Sequence, residues 1–309
     1  MWFKNLHIFR FLRPFTLSAE ALHEQLSHAR FHPCGQLELG TQGWVPPLGR
    51  DSESLVHAAN KCFVMTLRKE DKILPATVIR DYLHEKIEAI ELQQHRKIRK
   101  PEKEALREEI LLELLPRAFS RSTHLLAYID VSHHWLLIDT ANRKKAEEFI
   151  NLLRRTLGSL PVVSPILQHS IAQCMTQWLN QPQTLPPDFE LADACELIDR
   201  EQEGAVVNCK RQDLTAEEIQ AHLEAGKSVT RLALIWQQRL ALVLDAELVI
   251  RRVQFLDVIQ EQAQEIHVDN PAQRFDADFA LMSLELAALL KRLFEVFGGE
   301  DEQAYARLG

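Results

Sequence analysis

The sequence predicts an α+β fold with antiparallel sheets, packed helices and a protruding helical arm. Three observations predict it. Stretches rich in β-formers follow one another as a hairpin and a meander, the connections antiparallel sheets use. Helical patterns stand beside those strands instead of alternating with them one by one. Residues 75–115 hold no glycine and one internal proline, so helix runs there with a single break.

In order, LHIFRFLR (6–13) reads as a first strand, and SAEALHEQLSHA (18–29) as a helix capped by Ser18. Residues 32–54 carry Pro33, Gly35, Gly40, Gly43, Pro46, Pro47 and Gly49, which predicts loop with short extended pieces. KCFVMTLRKE (61–70) is the next strand. In TVIRDYLHEKIEAIELQQHRK, Val78, Ile79, Tyr82, Leu83, Ile87, Ile90 and Leu92 recur near helical spacing. PEKEALREEILLELL restarts the pattern on Leu106, Ile110, Leu111, Leu114 and Leu115. Pro101 suits a first helical position, and Glu102 and Glu104 suit the positive helix end.

HLLAYIDVSHHWLLIDT (124–140) is a hairpin turning at Ser132, His133 and His134. ANRKKAEEFINLLRRTLG (141–158) is an amphipathic helix with Ala146, Phe149, Ile150, Leu153 and Leu157 on one face and Gly158 at its stop. SLPVVSP is a short extended crossing. Ser170 with Gln173, and Thr215 with Glu218, are expected capping boxes, Gly226 ends the second of those helices, and PQTLPPD (182–188) is the linker candidate. VTRLALIWQQRLALVLDAELVIRRVQFLD reads as a strand meander, and FDADFALMSLELAALLKRLFEVFGG as a long apolar closing helix. The organisation expected is a central α+β region (1–74 and 119–165), a helical arm (75–118) and a base α+β region (166–309).

The chain has 309 residues, 46% hydrophobic and 26% charged, the profile of a globular protein with ample core. Five scattered cysteines without a CxxC pair argue against a disulfide framework or a structural zinc, and for a reducing cytoplasm. The start MWFKNLHIFRFLRPF is broken by Lys4, Arg10 and Arg13 and lacks a signal-peptide pattern. No apolar run reaches membrane-spanning length, so no membrane partner is expected.

No GxSxG elbow, P-loop, GxGxxG, HExxH or EF-hand loop is present, and no cofactor is expected. Adjacent His133 and His134 point to opposite faces if on a strand, so turn chemistry explains them better than a metal. Asp276 and Asp278 in RFDADF admit a metal-dependent nuclease, but such a pair before a helix is more often capping. Cys34 has no partner His or Asp.

Basic clusters remain, although 44 acidic residues outnumber 36 Lys plus Arg for a net charge of -8. Arg96, Lys97, Arg99, Lys100, Lys103 and Arg107 crowd the junction of the helix pair. Arg117 and Arg121 flank Phe119. Lys210 and Arg211 form a third group, with Lys227 and Arg231 further on. Solvated helix surface paired to Glu at i+4 is the plain alternative. Close clustering argues for phosphate binding, which replaces condensed counterions with several neighbouring cations. No RRM, zinc-finger or homeodomain pattern is present, so any binding is expected to be independent of sequence.

MWFKNL, GWVPP (43–47), LLPRAFSR (114–121), GSLPVV (158–163), KRQDLT (210–215), EAGK (224–227), LALIWQQR (232–239) and QRFDADF (273–279) occur in that order. Together they resemble the RdgC family of bacterial recombination-associated proteins along essentially the whole chain. The resemblance implies a ring-shaped homodimer around duplex DNA, with single-stranded DNA a further partner, and no catalytic activity. It implies antagonism of RecA, a role in replication-fork repair, and a nucleoid-associated place in the cytoplasm. It makes Phe119 a hydrophobic latch between subunits. Gln212, with Lys210 and Arg211, becomes a subunit or DNA contact, and Lys227 a DNA contact. The rival expectations are the nuclease and a RecA-binding factor that ignores DNA.

Overall fold

A computed structural model describes residues 2–49, 52–199, 204–266 and 270–307. Met1 of MWFKNL lies outside them. The strands are β1 (His7–Phe11), β2 (Gly40–Val45), β3 (His57–Ala59), β4 (Cys62–Lys72), β5 (Ser120–Asp130), β6 (Trp135–Ile138), β7 (Val162–Val163), β8 (Phe189–Ile198), β9 (Val206–Lys210), β10 (Ser228–Trp236), β11 (Leu240–Asp245) and β12 (Ile250–Phe255). The helices are α1 (Ala19–Ser27), α2 (Ala76–Gln94), α3 (Lys100–Leu114), α4 (Arg143–Leu157), α5 (Ile171–Asn180), α6 (Glu217–Glu224), α7 (Asp257–Glu265), α8 (Pro271–Val296) and α9 (Glu302–Ala306). The fold is α+β, and every named strand pair is antiparallel.

Among the described residues, one sheet runs β2-β4-β5-β6-β1-β7 with β3 also on β4, and the other runs β12-β11-β10-β8-β9. Strand alternation divides the first sheet's apolar residues between two cores. Met65, Leu67, Ala127 and Ile129 face α1 and α4, where Phe149 and Leu153 complete the packing. Val64, Tyr128 and Leu137 face the other way and join the core of the second sheet through α8. Tyr128 meets Phe279, and Trp135 meets Phe294, edge to face. The start of the chain stitches the sheets together: Leu6 exchanges backbone hydrogen bonds with Ile250 at 2.7 and 3.0 Å before entering β1.

Several expectations change in detail. Strands β8 and β9 carry no clean alternation and were not anticipated. Residues 182–184 form a 3-10 turn, and Asp188 beyond them is bound by Arg292 at 2.9 and 3.0 Å and by Trp236 at 3.1 Å. Ser18 and Ser170 cap as expected. Thr215 does not: Asp213 captures its amide (2.9 Å) and hydroxyl (2.7 Å), so α6 starts one residue later, after Ala216. Pro101 is the second residue of α3, after Lys100. In the arm Ile79, Leu83, Ile110 and Leu115 are buried, while Tyr82 and Leu92 are exposed. The helix pair packs on itself along one seam, so only the residues of that seam are covered.

Candidate nucleic-acid interface

Helix α2 ends on His95 in the left-handed region (φ 51°), and the chain turns back into α3 with Arg99 as its extended N-cap. The Ile98 amide bonds Glu91 at 2.9 Å, and Lys86 pairs Glu109 at 3.0 Å across the helices. The basic knot therefore sits on an ordered corner. Arg96 forks onto Glu102 at 2.5 and 2.8 Å. That bond holds the Glu102 carboxyl below its ordinary value and raises the Arg96 guanidinium. Arg96 is thus already neutralised within the arm.

Lys97, Arg99, Lys100, Lys103 and Arg107 are exposed, and none forms an ion pair among the described residues. Lys103 and Arg107 stand at i, i+4 on α3, and Arg99 precedes them as the N-cap. The i+4 partner expected on a solvated face is Glu; here it is another cation, which costs about 0.2–0.5 kcal/mol per pair. Arg99 and Lys100 also stand at the positive end of the helix dipole, unfavourable by roughly 0.3–1 kcal/mol each. A groove between the helices, lined by Lys100, Lys103, Arg107 and Arg80 of α2 with Glu104 among them, over Ile79 and Leu83, extends the patch. The stripe is about 12 Å long at 1.5 Å per residue. That is the axial rise of three or four phosphates on one DNA strand.

At the foot of the arm Phe119 is 85% exposed. It fills no pocket of its own chain, while its carbonyl accepts from the Ile73 amide at 2.7 Å and so fixes it beside β4. Arg117 and Arg121 flank it, both exposed. Arg121 stands opposite Asp71 in the β4–β5 register, at a cavity that also holds Lys144 and Lys145.

A third basic region crosses the second sheet. Lys210 ends the edge strand β9, and Arg231, Arg251 and Arg252 line the same cavity. Arg231 bonds Glu196 at 2.7 Å and Arg251 bonds Asp245 at 2.8 Å. Arg251 and Arg252 went unnoticed in the sequence, where VIRRVQ reads as meander; their tandem position on an edge strand was the available signal. Arg211 adopts φ 56° in the turn after β9, and the Gln212 amide donates to the Asp193 carbonyl at 3.2 Å. Lys227, expected as a DNA contact, has a side chain 15% exposed, with the ammonium 4.0 Å from Asp199. The arm, its foot and the sheet face are three separate groups within the chain.

The acidic candidates do not converge. Asp276 and Asp278 lie inside α8, whose N-cap is Asn270, so they neither precede nor cap the helix. Two residues apart on a helix, they point about 160° from one another. Asp276 binds His57 and Asp278 binds Arg274. Among the described residues no group of three His, Cys, Asp or Glu is placed to hold a metal. His133 closes a turn onto Asp130. Cys34 donates to the Glu38 carbonyl at 3.1 Å, and desolvation raises its thiol. No helix among the described residues is long and apolar enough to cross a membrane.

A sequence-family description worded "Putative exonuclease, RdgC" matches residues 1–300. The protein of Yersinia pestis (strain Pestoides F) named "Recombination-associated protein RdgC" is 46% identical over 302 residues, covering 98% of this chain and 99% of that one. The protein of the same name from Yersinia enterocolitica serotype O:8 matches to the same extent.

Proposed function

The chain belongs to the RdgC family, and from that membership we propose that two copies close into a ring around duplex DNA and bind it without regard to sequence. The observation that carries this reading is the stripe Arg99–Lys103–Arg107 with Lys97 and Lys100. It is exposed, unpaired among the described residues and locally unfavourable, on a protein of net charge -8. Phosphate oxygens relieve that repulsion, and counterion release supplies the affinity. Contacts of this kind position the protein but read no bases.

Arg117 and Arg121 at the arm's foot and Lys210 and Arg211 on the sheet edge extend the DNA-facing surface. Phe119 supplies the apolar contact between copies, with Gln212 at the other junction. An enclosed duplex slides but does not leave sideways, and the occupied DNA denies RecA its track. That limits strand exchange and places the protein on the nucleoid at repaired forks. No catalytic step is part of the reading.

Filter binding of two unrelated duplexes at two salt concentrations tests it. Equal affinities for both sequences and a steep loss with salt are expected. Salt-independent or absent binding overturns it and favours a factor that meets RecA alone. Incubation with Mg²⁺ or Mn²⁺ should leave the DNA intact; shortening of the DNA would favour the exonuclease wording of the family description.

A further inference from the structure

In the register of the second sheet, Cys195 of β8 stands directly opposite Cys209 of β9. Directly opposed residues share a face, with Cβ atoms about 4.5–5.5 Å apart. A disulfide needs roughly 3.5–4.5 Å between the same atoms, so a small strand movement suffices. Both are buried, at 5% and 8% exposure, and border one cavity whose wall carries Lys210, Arg231, Arg251 and Arg252 together with Glu196. Arg231 and Arg251 are held by Glu196 and Asp245, so Lys210 and Arg252 are the cations of that wall that favour the approach of an anionic reagent.

We propose that Cys195 and Cys209 form a reversible dithiol–disulfide site, oxidised by exchange with a small anionic disulfide. One thiolate attacks the reagent's S–S bond, forming a mixed disulfide and releasing one thiol. The neighbouring cysteine then attacks the protein sulfur of that mixed disulfide and expels the second thiol. The cysteines lose two protons and two electrons in total, and the reagent becomes two thiols. Burial pushes the Cys195 thiol up to about 12, so the exchange is slow and brief exposure leaves the pair reduced. Once made, the bridge clamps the edge strand β9 onto β8, one residue before Lys210.

The test needs no DNA, so it succeeds or fails independently of the ring reading. The folded protein is held with glutathione disulfide, quenched by alkylation and mapped by mass spectrometry. A Cys195–Cys209 linkage, about 2 Da lighter than the reduced peptides and undone by excess reduced thiol, is expected. Backbone amides of β9 should then exchange at least about tenfold more slowly. Cys195→Ser should strand glutathione on Cys209. Mapping of the unaltered chain decides the matter if that variant does not fold. Both thiols remaining free after long exposure, or a linkage that forms only in denaturant, overturns the proposal.

Discussion

Replacing Arg99, Lys103 and Arg107 together by Gln removes the cationic stripe with little disturbance to the arm. All three are exposed and lie outside the seam of Ile79, Leu83 and Ile110. Their loss also ends the like-charge i, i+4 contact between Lys103 and Arg107, worth about 0.2–0.5 kcal/mol in helix stability. The arm should therefore be as stable as before, or slightly more so. If each side chain meets one phosphate, the slope of log affinity against log salt flattens by about 2.7 per chain. Between 50 and 200 mM salt that is about a 40-fold smaller loss of affinity for each chain engaged, and so about 2,000-fold for a ring of two. Fluorescence anisotropy with a labelled duplex across a salt series reads the slope directly. Arg96→Gln is the control, because Glu102 already holds Arg96 at 2.5 and 2.8 Å; it should change the slope by well under about one unit. A triple variant whose slope stays within about 0.5 of the unaltered protein refutes the reasoning.

Other expectations follow from single contacts. Phe119→Ser should leave thermal unfolding of the chain unchanged, because the ring is 85% exposed, yet weaken self-association in sedimentation velocity. Gly43→Ala should destabilise by about 2 kcal/mol in urea titration, the usual cost of overpacking, since an added Cβ would sit 2.5 Å from the Phe31 backbone. Hydrogen bonds from Arg292, and then from Trp236, hold the Asp188 carboxyl below its ordinary value. A carboxyl depressed on folding contributes stability that is complete above its unfolded pKa, near about 4, and lost as pH falls through the lower folded value. Asp188→Asn should flatten the acid limb of stability against pH; an unchanged limb removes this pair from the account.

The sequence was most informative where a local rule decides the outcome. The glycine-free stretch 75–115, Ser18 and Ser170 at helix starts and Gly158 at a helix stop needed no knowledge of distant residues. It was least informative where a distant or competing partner decides. The order of strands in the sheets, and the burial of α8 between them, depend on contacts far apart in the chain. Thr215 looked like a cap, but Asp213 two residues earlier outcompetes the helix for its hydrogen bonds. Helical phase was misjudged at RFDADF, which begins after the true cap, Asn270. For the interface, clustering along the chain found the arm cations. It could not separate Arg96, consumed by Glu102, from its free neighbours, nor foresee that Asp199 would draw Lys227 inward. The Arg231–Arg251 face emerged only when the sheet brought five strands together.

Enclosure of DNA by two copies is tested most directly by retention on covalently closed and linearised forms of one plasmid, loaded at low salt and washed at high salt. The ring account predicts that protein stays on the closed circle, where screened contacts do not free a topological link, and slides off the linear form. Equal loss from both forms would contradict it.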